Sequence, residues 1–210
     1  MLIPFDRLFA QHGIQTKGVL HLGANTGQEA EVYDALGIQK VVWVEALPDI
    51  HAKLQAHILP FPGQIALCAC VSSVEGDIVT FRRANNEAQS SSFLEFGTHA
   101  KEHPTTKFIG QQAMRTQRVD ALLQRASIKV EDGWFLNVDL QGAELLALVG
   151  MGELLRKFAH AYIEVNKAYL YKGCPLVEQI DDYLAKYGFV GVETLWTKHG
   201  WGDKYYQRKN

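Results

Sequence analysis

The fold is decided by residues 18–29, which read GVLHLGANTGQE. Gly18 to Leu22 is an apolar run of strand length, and Gly23 breaks it before a helix that we expect to begin near Thr26. A glycine in such a turn can adopt positive φ and lets a ligand lie against the backbone. The free N–H groups at the start of the helix then face that ligand. The stretch therefore predicts the strand, turn and helix of a nucleotide-type site.

The residues around this turn limit the kind of nucleotide. Asn25 stands where the pyrophosphate of a dinucleotide would need a glycine. The apolar run that follows, VVWVE, ends at Glu45, where this architecture binds a ribose diol. A nucleoside without phosphates is therefore favoured, and S-adenosylmethionine fits that description. The alternative is that Gly23 and Gly27 only tighten the turn and that Glu45 is a solvated strand end.

The composition excludes several classes of function. The chain has 210 residues, 47% of them hydrophobic, and a net charge of −2, so we expect one domain over residues 1–210 and no nucleic-acid partner. Cys68, Cys70 and Cys174 form no C-x-x-C pair, which indicates neither a disulfide framework nor a metal site. No apolar run has the length of a membrane span, so we expect a cytoplasmic protein without a membrane partner.

Strands and helices alternate through the first part of the chain. A lead-in helix is expected within residues 1–17, and Pro48 suits the first turn of a later helix. Ile65 to Val71 is predicted as the third core strand, with Cys68 and Cys70 buried on one of its faces. This alternation predicts an α/β protein with a parallel sheet between helices, a doubly wound fold.

Two later regions differ from this alternation. Asp77 to Phe81 alternates like a hairpin partner, and residues 82–116 are polar without a sustained period, which predicts a functional excursion that covers the acceptor. After a strand that ends at Asp139 and a helix interrupted near Gly150, the chain ends in two strands joined by KHGWGD. We expect this C-terminal hairpin to close the sheet.

Several motifs resemble the FkbM family of S-adenosylmethionine-dependent methyltransferases, from about Gly18 to the C-terminus. They are GVLHLGANTGQE, VVWVEALP, SSSF, RVDALL, FLNVDLQGAELLALVG and WGDKYYQRK, of which VDLQGAE is the most diagnostic. The family pattern commonly has a lysine and an acid at the positions of Asn137 and Gln141, and often an aspartate at that of His21. The resemblance implies a Rossmann-like class I methyltransferase with a mostly parallel, seven-stranded sheet and a C-terminal antiparallel hairpin.

The resemblance also implies a cofactor, an acceptor and site residues. The cofactor is S-adenosylmethionine, and the acceptor is a small-molecule or glycan hydroxyl, of a sugar or a secondary metabolite. Asp139 is the first candidate for a catalytic base because it follows a core strand, and Glu164 or Asn166 would orient the acceptor. Ser91 and Ser92, in the polar excursion, are expected to bind it as well. The expected cofactor-binding residues are His21, Gly23, Ala24, Asn25, Gly27, Glu45, Ala46, Cys70, Val71 and Asp139.

Other interpretations compete with this one. His99 to His103 reads HAKEH, an inverted zincin motif, but Pro104 follows at once, and solvated loop histidines are the preferred interpretation. The basic run Lys198 to Lys209 favours an edge hairpin with solvated lysines over a nucleic-acid surface. The alternative functions are a non-catalytic nucleoside-binding module, which the departures at Asn137 and Gln141 leave open, and a nicotinamide-dependent dehydrogenase.

Overall fold

The computed structural model describes residues 2–209. Its strands are β1 (Gly18–Leu22), β2 (Lys40–Glu45), β3 (Gln64–Cys68), β4 (Cys70–Val71), β5 (Ile78–Ala84), β6 (Phe108–Gln117), β7 (Trp134–Val138), β8 (Phe158–Asn166), β9 (Phe189–Trp196) and β10 (Trp201–Arg208). Its helices are α1 (Phe5–His12), α2 (Ala30–Ala35), α3 (Pro48–Ile58), α4 (His99–Glu102), α5 (Val119–Arg125), α6 (Glu144–Met151) and α7 (Val177–Ala185), with a 3-10 helix at Gly152–Lys157.

Within residues 2–209, seven strands form one sheet in the order β3-β2-β1-β7-β8-β10-β9. Every neighbouring pair from β3 to β8 is parallel, whereas β10 runs antiparallel to both β8 and β9. The strand order reverses between β1 and β7, and such a switch point opens a crevice at the carboxyl ends of the strands. The α/β fold with a C-terminal antiparallel hairpin is thus confirmed.

Apolar clusters cover both faces of this sheet. On one face, α1 buries Phe5 and Phe9 against Tyr33, Phe135 and Tyr162, with ring centroids 5.1 to 5.6 Å apart in the closest pairs. Buried aromatic pairs contribute about 0.5–1.5 kcal/mol each beyond their area. The lead-in helix is therefore part of the core.

The third core strand ends earlier than its sequence predicts. β3 stops at Cys68, the Ala69 N–H donates to the Glu45 carbonyl over 3.0 Å, and Cys70 and Val71 pair with β6 in a second sheet. Cys68 is exposed because β3 is an edge strand, whereas Cys70 is buried. The prediction of two buried cysteines on one continuous strand was wrong for Cys68.

The second sheet has the order β4-β6-β5 within the described residues, so the polar excursion is more regular than its sequence predicts. The hairpin partner of β5 is β6, which begins at Phe108. Most of β6 is exposed, so its polar side chains carry no apolar alternation that could reveal a strand. The second sheet lies beside the crevice and carries residues 85–107 between β5 and β6.

The sequence predicted that the C-terminal hairpin lies at the edge of the sheet with solvated lysines, and the structure differs in two details. β9 is the edge strand, and β10 lies inside the sheet, between β8 and β9. Lys204 on β10 pairs with Asp181 at 2.8 Å, and only 16% of its side chain is exposed. This lysine therefore packs α7 against the sheet.

Candidate active site

A cavity of about 560 Å³ opens at the carboxyl ends of β1, β2, β7 and β8. Small-molecule sites have volumes of about 300–1,000 Å³, so this cavity has the size of a cofactor site. It brings together most of the residues that the sequence predicts for the site: His21, Gly23, Ala24, Asn25, Glu45, Ala46, Cys70, Val71, Ser91, Asp139 and Glu164. Gly27, Ser92 and Asn166 do not line it.

The glycine turn borders the cavity through its backbone. Gly23 has φ +85°, and a Cβ there would lie 1.7 Å from the Asp139 carbonyl oxygen. Only glycine therefore lets the end of β1 pass the end of β7. The helix that we expected near Thr26 begins only at Ala30, so irregular turns, and not helical N–H groups, form this wall. A Cβ at Gly27 would meet Leu54 at 2.6 Å, which indicates a packing role for Gly27.

Glu45 lies at the end of β2, and only 8% of its surface is exposed. Its carboxylate accepts the Asn25 N–H at 3.0 Å and the Leu47 N–H at 2.8 Å, which fixes it beside the glycine turn. Each carboxylate oxygen has a second lone-pair site, so both can still accept hydroxyl donors. Burial raises the pKa of Glu45 to about 7. Its placement agrees with the predicted ribose acceptor.

Asp139 and Glu164 meet through the side chain of Gln141. The Gln141 amide donates to Asp139 Oδ1 at 2.6 Å and to Glu164 Oε2 at 3.0 Å, and its carbonyl accepts the Tyr171 hydroxyl at 2.7 Å. Gln141 adopts φ 52°, an uncommon conformation for a residue with a side chain. Such strain is found where the surroundings fix a functional side chain.

Buried acids change the proton affinity of this pair. Burial, followed by the charges of Asp139, Glu144 and Asp203, raises the pKa of Glu164 well above its usual range. Burial among acids therefore favours the protonated form of Glu164. A hydrogen bond with Asp139 also raises that pKa, so the two carboxyl groups are close enough to share one proton.

His21 and Asn137 are neighbours on β1 and β7. The Asn137 Nδ2 lies 3.2 Å from His21 Nε2 and donates to the Tyr33 hydroxyl at 3.0 Å. Burial lowers the pKa of His21 to about 3, so the ring is uncharged at neutral pH. Asn137 does not line the cavity, so its departure from the family pattern leaves the lining unchanged.

The serine cluster divides between two roles. Ser91 lines the cavity and its Oγ accepts the Ala84 N–H at 3.0 Å, whereas the Ser92 Oγ accepts the Leu94 N–H at 3.1 Å. Ser90, whose hydroxyl the polar excursion also offers to an acceptor, lines the cavity as well. Asn166 is fully buried at the end of β8, and neither polar atom of its side chain has a hydrogen-bond partner among the described residues.

Of the two histidines of HAKEH, His99 does not lie in a solvated loop as expected, whereas His103 is half exposed. His99 is 4% exposed, lines the cavity, stacks on Phe96 with ring centroids 4.2 Å apart, and has its Nε2 3.2 Å from Ser90 Oγ. Glu102 instead pairs with His199 at 2.7 Å. Within residues 2–209, no group of three or more His, Cys, Asp or Glu side chains could hold a metal ion. The motif match itself was the only signal that could have pointed to His99.

The charge of the lining distinguishes between ligands. Its acidic residues are Glu29, Glu45, Asp139, Glu164 and Asp203, and the described residues that line it include no lysine or arginine. Such a cavity suits a cationic, phosphate-free ligand, because a sulfonium or ammonium group gains from nearby carboxylates. A dinucleotide pyrophosphate would meet repulsion and no basic partner. The chemistry of the lining therefore fits S-adenosylmethionine, not a nicotinamide cofactor.

Comparison with known proteins agrees with this geometry. The methyltransferase ChlM of Synechocystis PCC 6803, which acts on magnesium protoporphyrin IX and was solved with bound SAM, matches with a TM-score of 0.53 at 10% identity, over 97% of this chain and 76% of the other. A SAM-dependent methyltransferase from Aquifex aeolicus matches with a TM-score of 0.50 at 12% identity, over 96% and 87%. TrmK of M. capricolum with S-adenosylhomocysteine gives 0.52 at 7% identity, over 100% and 71%. These similarities show the fold.

The sheet order is that of a Rossmann-like fold, and the match to a methyltransferase domain identifies the chain as a methyltransferase that uses S-adenosylmethionine as its cofactor. The methyltransferase FkbM domain matches residues 21–190, so the chain belongs to the FkbM methyltransferase family. No curated protein sequence matches the chain. Within residues 2–209, no helix has both the length and the apolar character needed to cross a bilayer.

Proposed function

We propose that the chain O-methylates a hydroxyl of a sugar, a glycan or a secondary metabolite, with Asp139 as the base. One observation carries this proposal: Asp139 and Glu164 lie in one cavity with the glycine turn, and Gln141 bridges them. S-adenosylmethionine supplies an electrophilic methyl group when it is bound. A hydroxyl is a weak nucleophile, so a carboxylate that accepts its proton accelerates its attack.

The residues around Asp139 and Glu164 have different roles in the proposed reaction. Burial among acids favours the protonated form of Glu164, so we assign the role of base to Asp139. Gln141 holds Asp139 in place with a 2.6 Å hydrogen bond, and the Tyr171 hydroxyl holds Gln141 in turn. This arrangement favours an enzyme over a non-catalytic module.

The excursion forms the remaining wall of the cavity. Its residues Asn86, Ser90, Ser91, Phe93, His99 and Thr106 line the cavity, and the Asn25 side chain donates to the Glu87 carbonyl at 3.1 Å. A hydrogen bond thus ties the excursion to the glycine turn. We place the acceptor between this wall and Asp139.

The test is methyl transfer by Asp139→Asn. Mass spectrometry of methylated products, against a panel of bacterial glycans and nucleotide sugars, identifies an acceptor for the wild type. We expect Asp139→Asn to lower kcat about 100-fold to 10,000-fold, the usual contribution of a general base, while S-adenosylhomocysteine still binds. An unchanged kcat would remove Asp139 as the base.

A further inference from the structure

Carboxyl groups outnumber basic side chains in the lining of the cavity. Five carboxyl groups line it, and no lysine or arginine is among the described residues that do so. Burial lowers the pKa of His21 to about 3 and that of His99 to about 4, so neither ring carries a charge at neutral pH. A third histidine, His103, also lines the cavity and is half exposed. In the described part of the chain, the lining therefore offers neither a lysine nor an arginine to an anionic ligand.

Arg82 and Arg83, which follow the lining residue Phe81 on β5, are engaged elsewhere. Arg82 donates to the Phe93 carbonyl at 2.9 Å and pairs with Glu95 at 3.1 Å. Arg83 binds both carboxylate oxygens of Asp49, each at 2.7 Å. Turning either guanidinium toward the cavity would break these contacts, so neither is available to a phosphate or a carboxylate.

The uncharged part of the wall has groups that suit a hydroxylated ring. Gln89, Ser90 and Thr106 offer amide and hydroxyl groups, and the rings of Phe93 and Trp201 offer apolar surface. Amide and hydroxyl groups exchange hydrogen bonds with alcohols in either direction. Aromatic faces cover the C–H surface of a ring without any need for charge.

An anionic group on the acceptor would be costly here. It would leave water for a cavity where carboxyl groups already hold their protons more tightly than in water, as the raised pKa values of Glu29 and Glu45, both about 7, show. A buried anion without a lysine or arginine partner loses hydration that the uncharged donors of this wall replace only in part. Like charges nearby add further repulsion.

We infer that the acceptor end of the cavity admits an uncharged, hydroxyl-bearing ring and rejects a ring that carries a phosphate or a carboxylate. This inference deepens the proposed function and rests on it. Nucleotide sugars and uronic acids are then excluded as acceptors wherever the charged group must enter the cavity. Neutral glycosides and neutral secondary metabolites remain as the substrate class.

Two sugars that differ only in charge test this inference. Methyl β-D-glucopyranoside and methyl β-D-glucopyranosiduronate are titrated onto the full chain with S-adenosylhomocysteine bound, at pH 7.5, and binding is followed by saturation-transfer NMR. We expect the glucuronate to bind at least about 10-fold more weakly than the glucoside. Equal or tighter binding of the glucuronate would overturn the inference and leave the proposed function standing.

A charge-switch variant shows whether fixed charge is the cause. Thr106→Lys places a cation at the half-exposed rim of the lining, and Gln89→Lys does so from a second, exposed position. We expect either variant to tighten glucuronate binding about 10-fold, whereas Thr80→Lys, on an exposed part of β5, should not. If neither variant does so, the inference fails. If neither sugar binds while S-adenosylhomocysteine does, the sugar-acceptor function fails and the inference fails with it.

Discussion

His21 and Asn137 lie side by side on β1 and β7, with Asn137 Nδ2 3.2 Å from His21 Nε2. Both positions depart from the FkbM pattern, which often has an aspartate at the first and a lysine at the second. In this chain the two positions hold an uncharged, buried pair in hydrogen-bond contact. Substitution of one of the two side chains is therefore expected to change the surroundings of the other.

This pairing predicts strong coupling between two substitutions. His21→Asp alone and Asn137→Lys alone should each lower the free energy of unfolding by about 3–5 kcal/mol, because each buries a charge without a partner. The double variant should lose at least about 1–3 kcal/mol less than the sum of the single losses. Urea denaturation of the four proteins measures this cycle. Additive losses would show that the two side chains act independently.

We expect Gln141 to influence the proton balance of the proposed catalytic pair. Gln141→Glu would place a third carboxyl group against Asp139 and Glu164, and like charge disfavours the ionised form of the pair that acts as the base. We expect the low-pH limb of kcat/KM to move to higher pH by about one unit, with a loss of about 10-fold on that limb.

The control for this experiment is Gln111→Glu, which adds the same charge on the exposed part of β6. Its pH profile should match the wild type. A Gln141→Glu profile that superimposes on that of the wild type would show that Gln141 has no influence on the pair.

Glu144 makes stability depend on pH. Its carboxylate accepts the N–H groups of Leu140 and Gly142, and burial raises its pKa from 4.5 to about 7. Between these pH values the folded chain keeps a proton that the unfolded chain has lost. The stabilising contribution of this proton to the free energy of unfolding is complete below about pH 4.5. The contribution falls by about 3 kcal/mol as the pH rises to about 7.

Glu144→Gln tests that sign. Glutamine keeps an oxygen for both N–H groups but does not titrate. Between pH 4.5 and pH 8, the free energy of unfolding of the variant should therefore fall by about 3 kcal/mol less than that of the wild type. Urea denaturation at the two pH values measures the difference. An identical loss in both proteins would show that Glu144 does not hold the proton.

Gly23 is required by the fold as well as by the cavity. Gly23→Ala puts a Cβ 1.7 Å from the Asp139 carbonyl oxygen at φ +85°, so we expect a loss of about 2 kcal/mol or more in unfolding free energy, together with weaker cofactor binding. Gly110→Ala is the matched control, since nothing lies within 4 Å of a Cβ there. Thermal denaturation compares the two, and equal midpoints would contradict the close approach of β1 and β7.

Sequence patterns predicted the main sheet because its strands bury both faces. β1 and β7 are continuous apolar runs with every residue buried, and such runs can be read directly. β6 is largely exposed and β3 is an edge strand that ends at Cys68, so neither carries a complete pattern. Whether a chain continues in one sheet or crosses to another depends on tertiary contacts, which spacing does not show.

For the candidate site, too, the sequence predicts some residues and misses others. Gly23, Glu45 and Asp139 were predictable because strand ends in a parallel sheet converge on one crevice. The bridge from Gln141 to Glu164 joins residues 23 positions apart and rests on a positive φ, which one sequence does not reveal. Ser90 and Ser91 line the cavity and Ser92 does not, a difference between adjacent residues of the same type that the sequence does not show.

The most direct measurement is a calorimetric titration of the wild type and Glu45→Ala with S-adenosylhomocysteine. If this cavity holds the cofactor and Glu45 accepts its ribose hydroxyls, the variant should bind about 10-fold to 100-fold more weakly, the effect of about 1.5–3 kcal/mol of charge-assisted hydrogen bonding. Glu45→Gln separates the lost charge from the lost shape, and circular dichroism confirms that each variant is folded. An equal dissociation constant in folded Glu45→Ala would contradict the assignment of this cavity to the cofactor.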